Sequence, residues 1–594
     1  MRTRSYLTAA VVATIASTGW AGEEWIARSN EYANEALVIQ AQYFPEFAGQ
    51  VGLDGYDEEI RDLRPGFVQR QRADSEKLLV RYAKLLEEEK DARVRQDLGI
   101  MIQAARDGVR SSELEEQYML PYFNIGQSMF FAVQGTLDPQ NDASRRPSVV
   151  VRLRRYAGLE EGYEPIVELA KARTLEGLAN PNLIGPFVAE LDDHVEKMPR
   201  FIGGMQGLLA ESGVEGWEHP FDVLSGQLKE YYAWLDTEMR PRARPEPQLP
   251  PAIYADNLKN FGVDVSPEEL IERATLAFAN IQNEMQSLAR QVAHEKGYGV
   301  SDYRDVIAAL KEERIPGDEV VAFYKKTLAQ LEEIIEREHL VTLPERDADI
   351  QIASEARSAA QPAPHLKPPR LIGNTGEYPI FMIPTIGKNE DGSWQHNDTT
   401  FKSNAWTLTA HEARPGHELQ FSSMIESGVS TARGIFAFNS VNVEGWALYA
   451  EAISRPYMPL DAQLISLQNR LLRAGRMFLD PMLNLGLLTR EEVKEVLMTD
   501  VVIDEGFAQQ EVDRYSFRAP GQATSYYFGF SHLQSLRAQV ELKLRERFDA
   551  QKLHDFILAQ GLMPPKLVKQ AVMEEFVVAT LAEAEAQPEA AAAR

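Results

Sequence analysis

The sequence predicts a mainly α protein with one small extended element near its middle. Apolar residues recur at helical spacing along most of the chain. Period-two alternation is scarce, and one proline-rich stretch between about Val341 and Asp398 breaks the pattern. Apolar residues make up 44% and charged residues 25%, so a packed globular core is expected for these 594 residues.

In chain order, residues 1–21 read as a signal peptide. Met1-Arg2-Thr3-Arg4 is basic, Tyr6 to Ile15 is apolar but too short to span a bilayer, and Gly19-Trp20-Ala21 supplies the small residues of a cleavage site. No later stretch has the length and apolarity of a membrane span, and no cysteine follows to carry a lipid. A periplasmic or secreted protein without a membrane anchor is expected. Residues 22–245 read as a helical N-terminal region. Asp74 to Glu89 sets Leu78, Leu79, Tyr82, Leu85 and Leu86 on one helical face. Ser111 to Phe131 and Tyr163 to Leu178 read as further helices.

The run RPRARPEPQLPP at 240–251 marks the clearest internal boundary, and residues 246–580 form a second region. Ser266-Pro267-Glu268-Glu269 opens a helix to about His294, with Ser266 as N-cap, Pro267 at the first helical position and Glu269 closing a capping box. Another helix covers Gly317 to Glu338. Within the proline-rich stretch, Tyr378 to Pro384 is a short apolar run, read as a strand or extended edge segment. Helices resume from about Ser403 to Ala579, and residues 581–594 read as a disordered tail.

Charge and cysteine content exclude several functions. A net charge of −27 repels phosphate backbones, so no nucleic-acid partner is expected. With no cysteine there is no disulfide and no thiol nucleophile, and any metal site has to use His and carboxylate ligands.

The chemistry concentrates in Thr407 to Gln420. His411 is followed at once by Glu412, and His417 comes six residues after His411. Two imidazoles that hold zinc, with a Glu beside them that takes a proton from water, are the working parts of a metallopeptidase helix. The spacing is unusual, because on a regular helix six residues separate the two His by ~240° around the axis. Pro415 and Gly416 offer the break that could loop out two residues and return His417 to the face of His411. The alternative is that His411 ends one helix and His417 begins the next, with no metal between them. Downstream, Glu444 and Glu451 lie seven apart on one face of an otherwise apolar segment, Val441 to Ala452. Buried carboxylates need partners, so Glu444 is assigned as third ligand and Glu451 as acceptor from a ligand His. The competing reading exposes both, or pairs them with Arg470 or Arg473.

At HEARPGHELQ (411–420), EGWALYAE (444–451) and EVDRYSFRAPGQATSYYFG (511–529), the chain resembles a bacterial family named only as domain of unknown function 885. That family looks like a distant branch of the zincin peptidases, of gluzincin type, beside the angiotensin-converting, thimet-oligopeptidase and carboxypeptidase-Taq families. Looser similarity runs from Leu249 to about Lys569. The resemblance implies a large zincin-like helical fold around a deep zinc channel that acts on peptides. It departs at Glu418, where many members carry a second adjacent His. In the third motif, Tyr526 is the first choice for donor to a tetrahedral oxyanion and Tyr527 the second. Arg514 is read as a carboxylate clamp, with Tyr515 and Gln522 also substrate-facing, and Arg518, His532 and His396 as further candidates. The segment Asn374 to Pro384 is a second candidate for substrate binding, as an edge for strand addition. The combined expectation is a zinc-dependent hydrolase of short peptides with Glu412 as general base. Hydrolysis of another amide or ester, or an inactive periplasmic binder of peptide or metal, are the alternatives.

Overall fold

Proline, glycine and polar capping residues bound many of the helices of this computed structural model, which describes residues 20–353, 357–358, 363–385 and 398–583. The Leu78–Leu86 pattern lies within the helix Phe67–Glu88, which buries Leu78, Tyr82 and Leu85. The continuous helix expected over Ser111 to Phe131 is instead two, Ala92–Tyr118 and Ile125–Thr136. Pro121 sits between them, where its missing N–H and its clash with the preceding turn disfavour a continuous helix. Asn124 then caps the second helix by accepting from the Gln127 N–H at 3.3 Å.

Farther along, Ser266 caps the helix Pro267–Lys296 by accepting from the Glu269 N–H at 3.3 Å. The capping box is only half formed, because the Glu269 carboxylate pairs with Arg273 one turn on. Most of the signal-peptide segment and the tail beyond residue 583 lie outside the described residues. Among the described residues no helix is long and apolar enough to cross a membrane.

The three largest apolar cores among the described residues organise most of the helices. One gathers side chains from Leu63 to Met239. A second packs the helix Pro267–Lys296 against Leu460–Asn484. A third sets Trp446, Leu448 and Tyr449 against Leu553, Ile557 and Val572. Each such buried side chain contributes ~1.5–3 kcal/mol relative to exposure. The N-terminal helices are tied to the C-terminal half by a buried carboxylate. Asp97 accepts from Ser29 Oγ at 2.6 Å, Ser430 Oγ at 2.5 Å and Arg433 Nε at 2.9 Å.

The extended element is a three-stranded sheet of β1 (Asp349–Ile352), β2 (His365–Lys367) and β3 (Ile380–Ile383), in the order β1-β3-β2. β3 runs parallel to β1 and antiparallel to β2. The segment read as an edge is therefore the central strand. Its Phe381, Met382 and Ile383 are all buried, which an edge strand facing solvent would not achieve.

Candidate metal centre

Three helices bring the predicted residues together. The first, Lys402–Glu412, carries His411 and Glu412 in its last turn. The chain then turns through Ala413, a cis Arg414–Pro415 peptide and Gly416, and the second helix, His417–Ser427, starts on His417 itself. The break thus separates two helices and is not a bulge within one. Even so the imidazoles meet, with ring centroids 4.8 Å apart. Gly416 is needed for lack of space, since a Cβ there would overlap the carbonyl oxygens of His411 and Ala410. Arg414, fully buried, braces the turn by donating to Glu418 at 2.8 Å, Glu332 at 2.7 Å and the Arg346 carbonyl at 3.0 Å. Glu418 is thus an ion-pair partner pointing away from the histidines.

The third helix, Ser440–Ser454, supplies Glu444 and Glu451. Glu444 Oε2 lies 3.5 Å from Nε2 of both His411 and His417. Glu451 accepts from His411 Nδ1 at 2.7 Å and from Thr407 Oγ1 at 2.7 Å, and it faces Arg473 at 3.8 Å. That contact fixes the His411 tautomer and turns Nε2 toward Glu444. Burial opposes the charge on Glu444, but the two imidazoles hold its carboxyl well below the usual carboxylate range. Burial works against the His411 cation too, yet Glu444 and Glu451 push it up to about 9.

These residues fit a metal. The three donor atoms lie within 4.8 Å of one another. A tetrahedral zinc with bonds of ~2.0–2.1 Å sets its ligand atoms ~3.4 Å apart, near the observed 3.5 Å. Glu444 Oε2 is buried and has no hydrogen-bond partner among the described residues, a state that costs free energy unless a cation sits beside it.

The triad forms one wall of a cavity of about 550 Å³. Glu412 also lines it. Its Oε2 accepts from the Leu366 N–H of β2 at 2.9 Å, and burial raises its proton affinity against the opposing pull of the two histidines. β2, which sequence reasoning missed, is therefore the sheet edge that borders the cavity, with Pro364 and Pro368 on either side. Opposite stands Tyr526, its ring nearly parallel to His411 at 6.4 Å. A backbone-close crossing puts it there, because a Cβ on Gly445 would come within 2.7 Å of Gly529 Cα. Glu444 and Tyr526 flank that contact on their two helices. Arg514, Gln522 and Arg518 also line the cavity.

Three expected site residues are placed elsewhere. Tyr527 is one helical position round from Tyr526 and packs into the apolar core against Phe530. Tyr515 is fully buried behind the wall and donates to Glu511 at 2.8 Å. The His532 Nδ1 bonds the Phe528 carbonyl at 2.9 Å, and its ring faces a separate cavity. His396 lies outside the described residues. The wall also holds Arg473, Arg476 and Glu511, which were not assigned to the site. Their signal was present as Arg470, Arg473 and Arg476 at helical spacing in a buried segment, a pattern that demands carboxylate partners. Arg476 clamps Glu511 at 2.7 and 2.8 Å and lies 4.5 Å over the Tyr526 ring.

Fold and site together define a mainly α protein with a largely buried His-His-Glu cluster on the wall of a cavity. The chain belongs to the family described as bacterial protein of unknown function (DUF885), whose model matches residues 45–572. Two solved structures share the fold. One is a candidate lipoprotein from Colwellia psychrerythraea, at TM-score 0.75 and 18% identity over 92% of this chain and 98% of that one. The other is a candidate lipoprotein of unknown function from Shewanella oneidensis, at TM-score 0.70 with the same identity and coverage. A candidate oligoendopeptidase F from Bacillus anthracis aligns at TM-score 0.30 and 11% identity over 87% of this chain and 96% of that one, too low to define a shared fold. Curated proteins gave no match.

Proposed function

We propose that this chain is an exported zinc-dependent peptidase that hydrolyses short peptides within the cavity. The observation that carries the reading is the convergence of His411, His417 and Glu444, with Glu412 beside them and Tyr526 across the space. Zinc, when bound, supplies Lewis acidity toward a carbonyl and toward water. Glu412 accepts the proton of the attacking water and passes it to the leaving amine as the C–N bond breaks. Tyr526 donates to the carbonyl oxygen as negative charge develops there. On the outer side of β2 the Leu366 N–H holds the Glu412 carboxylate beside the two histidines. Small cavity volume favours short peptides over folded chains. Export is supported by the basic and apolar N-terminus.

The test combines metal analysis with a substrate panel. About one zinc per chain is expected, lost in His411→Ala and His417→Ala, with peptide hydrolysis abolished by chelation and restored by zinc. Hydrolysis of esters or N-acyl amino acids by the zinc-loaded protein, with peptides untouched, would replace this reading.

A further inference from the structure

Four arginines line the cavity on the Tyr526 side, and three are committed. Arg476 is held bidentately by Glu511. Arg473 donates to the main chain and side chain of Asn469 at 3.2 and 2.5 Å and faces Glu451. Arg518 pairs with Asp193 at 2.9 Å. Arg514 differs. Its hydrogen bond to Glu511 is long, at 3.4 Å, and that carboxylate already serves Arg476 and Tyr515. Two guanidiniums thus share the Glu511 carboxylate, and Arg514, with one long hydrogen bond of its own, keeps donors available to an anion in the cavity, although Glu444 and Asp480 also act on its charge.

Distance limits where that anion sits on a substrate. The Arg514 guanidinium is 5.8 Å from the Tyr526 ring, which is itself 6.4 Å from the His411 ring. The guanidinium is therefore no more than about 12 Å from His411, and a non-covalent contact of ~3 Å at each end leaves at most about 6 Å. At ~3.3–3.6 Å each, no more than two extended residues fit in that gap. Resting on the peptidase reading above, we infer that Arg514 receives a substrate carboxylate carried one or two residues beyond the scissile bond. The carboxylate is a free C-terminus or an acidic side chain at that position.

The test compares four peptides of one sequence, combining a free or amidated C-terminus with Glu or Gln two residues past the cleaved bond. Zinc-loaded wild-type, Arg514→Gln and Arg514→Lys proteins are assayed for kcat and KM. Calorimetric titration with the matching dipeptide acids and amides gives a readout independent of turnover. Loss of the carboxylate should lower kcat/KM and weaken dipeptide binding on the order of 10- to 100-fold in wild type, with Arg514→Lys intermediate and Arg514→Gln indifferent. Dependence on the terminus assigns an exopeptidase-like substrate, and dependence on Glu assigns an acidic side chain. Equal cleavage and equal binding of all four overturn the inference while leaving the peptidase reading intact. Acid-selective binding abolished in Arg514→Gln, with no peptide cleaved, upholds the carboxylate site and removes the peptidase reading.

Discussion

If zinc binds as proposed, replacing Glu451 by Gln separates a residue that orients a ligand from one that is a ligand. Glu451 is buried, accepts from His411 Nδ1 and Thr407 Oγ1 at 2.7 Å each, and faces Arg473 at 3.8 Å. Gln keeps an oxygen for the His411 N–H, and the Thr407 hydroxyl can rotate to accept from the new amide. What is lost is charge. A charge-assisted bond is worth ~1.5–3 kcal/mol against ~0.5–1.5 for a neutral one, so about 1–1.5 kcal/mol disappears, near tenfold in zinc affinity. Glu451→Ala leaves the His411 N–H unpaired and Arg473 facing no carboxylate, and should reach the ~100-fold end of the range for such supports. Glu444→Gln removes a donor that faces both imidazoles at 3.5 Å and should exceed both. The assay is competition for zinc against a chromophoric chelator, with circular dichroism to confirm folding. A Glu451→Gln loss equal to or larger than that of Glu444→Gln would refute the reasoning, since Glu451 would then be the ligand.

Further outcomes follow from single features of the site. Gly416→Ala should weaken zinc at least tenfold, because the new methyl collides with backbone that no side-chain rotation can clear; unchanged affinity in the same chelator competition would mean the turn is loosely held. Tyr526→Phe should lower kcat by ~10²–10³ with zinc content unchanged, the size expected for one oxyanion donor, whereas Tyr527→Phe should leave kcat near wild type. Equal losses in the two variants would remove Tyr526 from its role. Glu511 is held down to about 2, because Arg476 and Arg514 outweigh the opposing effect of burial. A depressed carboxyl contributes stability above its unfolded pKa near 4.5, on the order of 3 kcal/mol here, and loses it as pH falls through about 2. The gap in Tm between wild type and Glu511→Gln should therefore be wide and flat above about pH 4.5 and narrow toward pH 2; a gap that widens on acidification contradicts the pairing.

The residues legible in the sequence were those whose relation is local. His411, Glu412 and His417 sit within seven positions, and Glu444 and Glu451 share a helical face, so chain geometry alone brought them near one another. What the Pro415-Gly416 break would do was harder to read. Composition announced an interruption, but a looped-out helix and a fresh helix start share the same residues, and tertiary contacts such as Trp446 donating to the Pro415 carbonyl at 3.0 Å and the Arg414 bonds to Glu418 and Glu332 fix which forms. Tyr526 and Tyr527 are adjacent, so choosing between them required the helix rotation set by the Gly445–Gly529 contact, a pairing more than eighty residues apart in sequence. The edge strand β2, His365-Leu366-Lys367, is too short for its alternation to stand out, and its neighbour β3 looked like the edge because prolines bound it. Long-range pairings of this kind are set by tertiary packing and leave little trace in local spacing.

Asp97 bears on how this protein can be cut. It gathers Ser29, Ser430 and Arg433 from opposite halves of the chain, and Arg433 lies on the segment that leads into the helix carrying Glu444. A fragment begun after the proline-rich run at 240–251 would strip that carboxylate away and leave the Arg433 guanidinium uncompensated just ahead of Glu444, a loss of ~3–5 kcal/mol. Residues 20–118 are therefore bound into the C-terminal half rather than forming a removable segment, and protease nicking between the halves should leave the two pieces co-purifying.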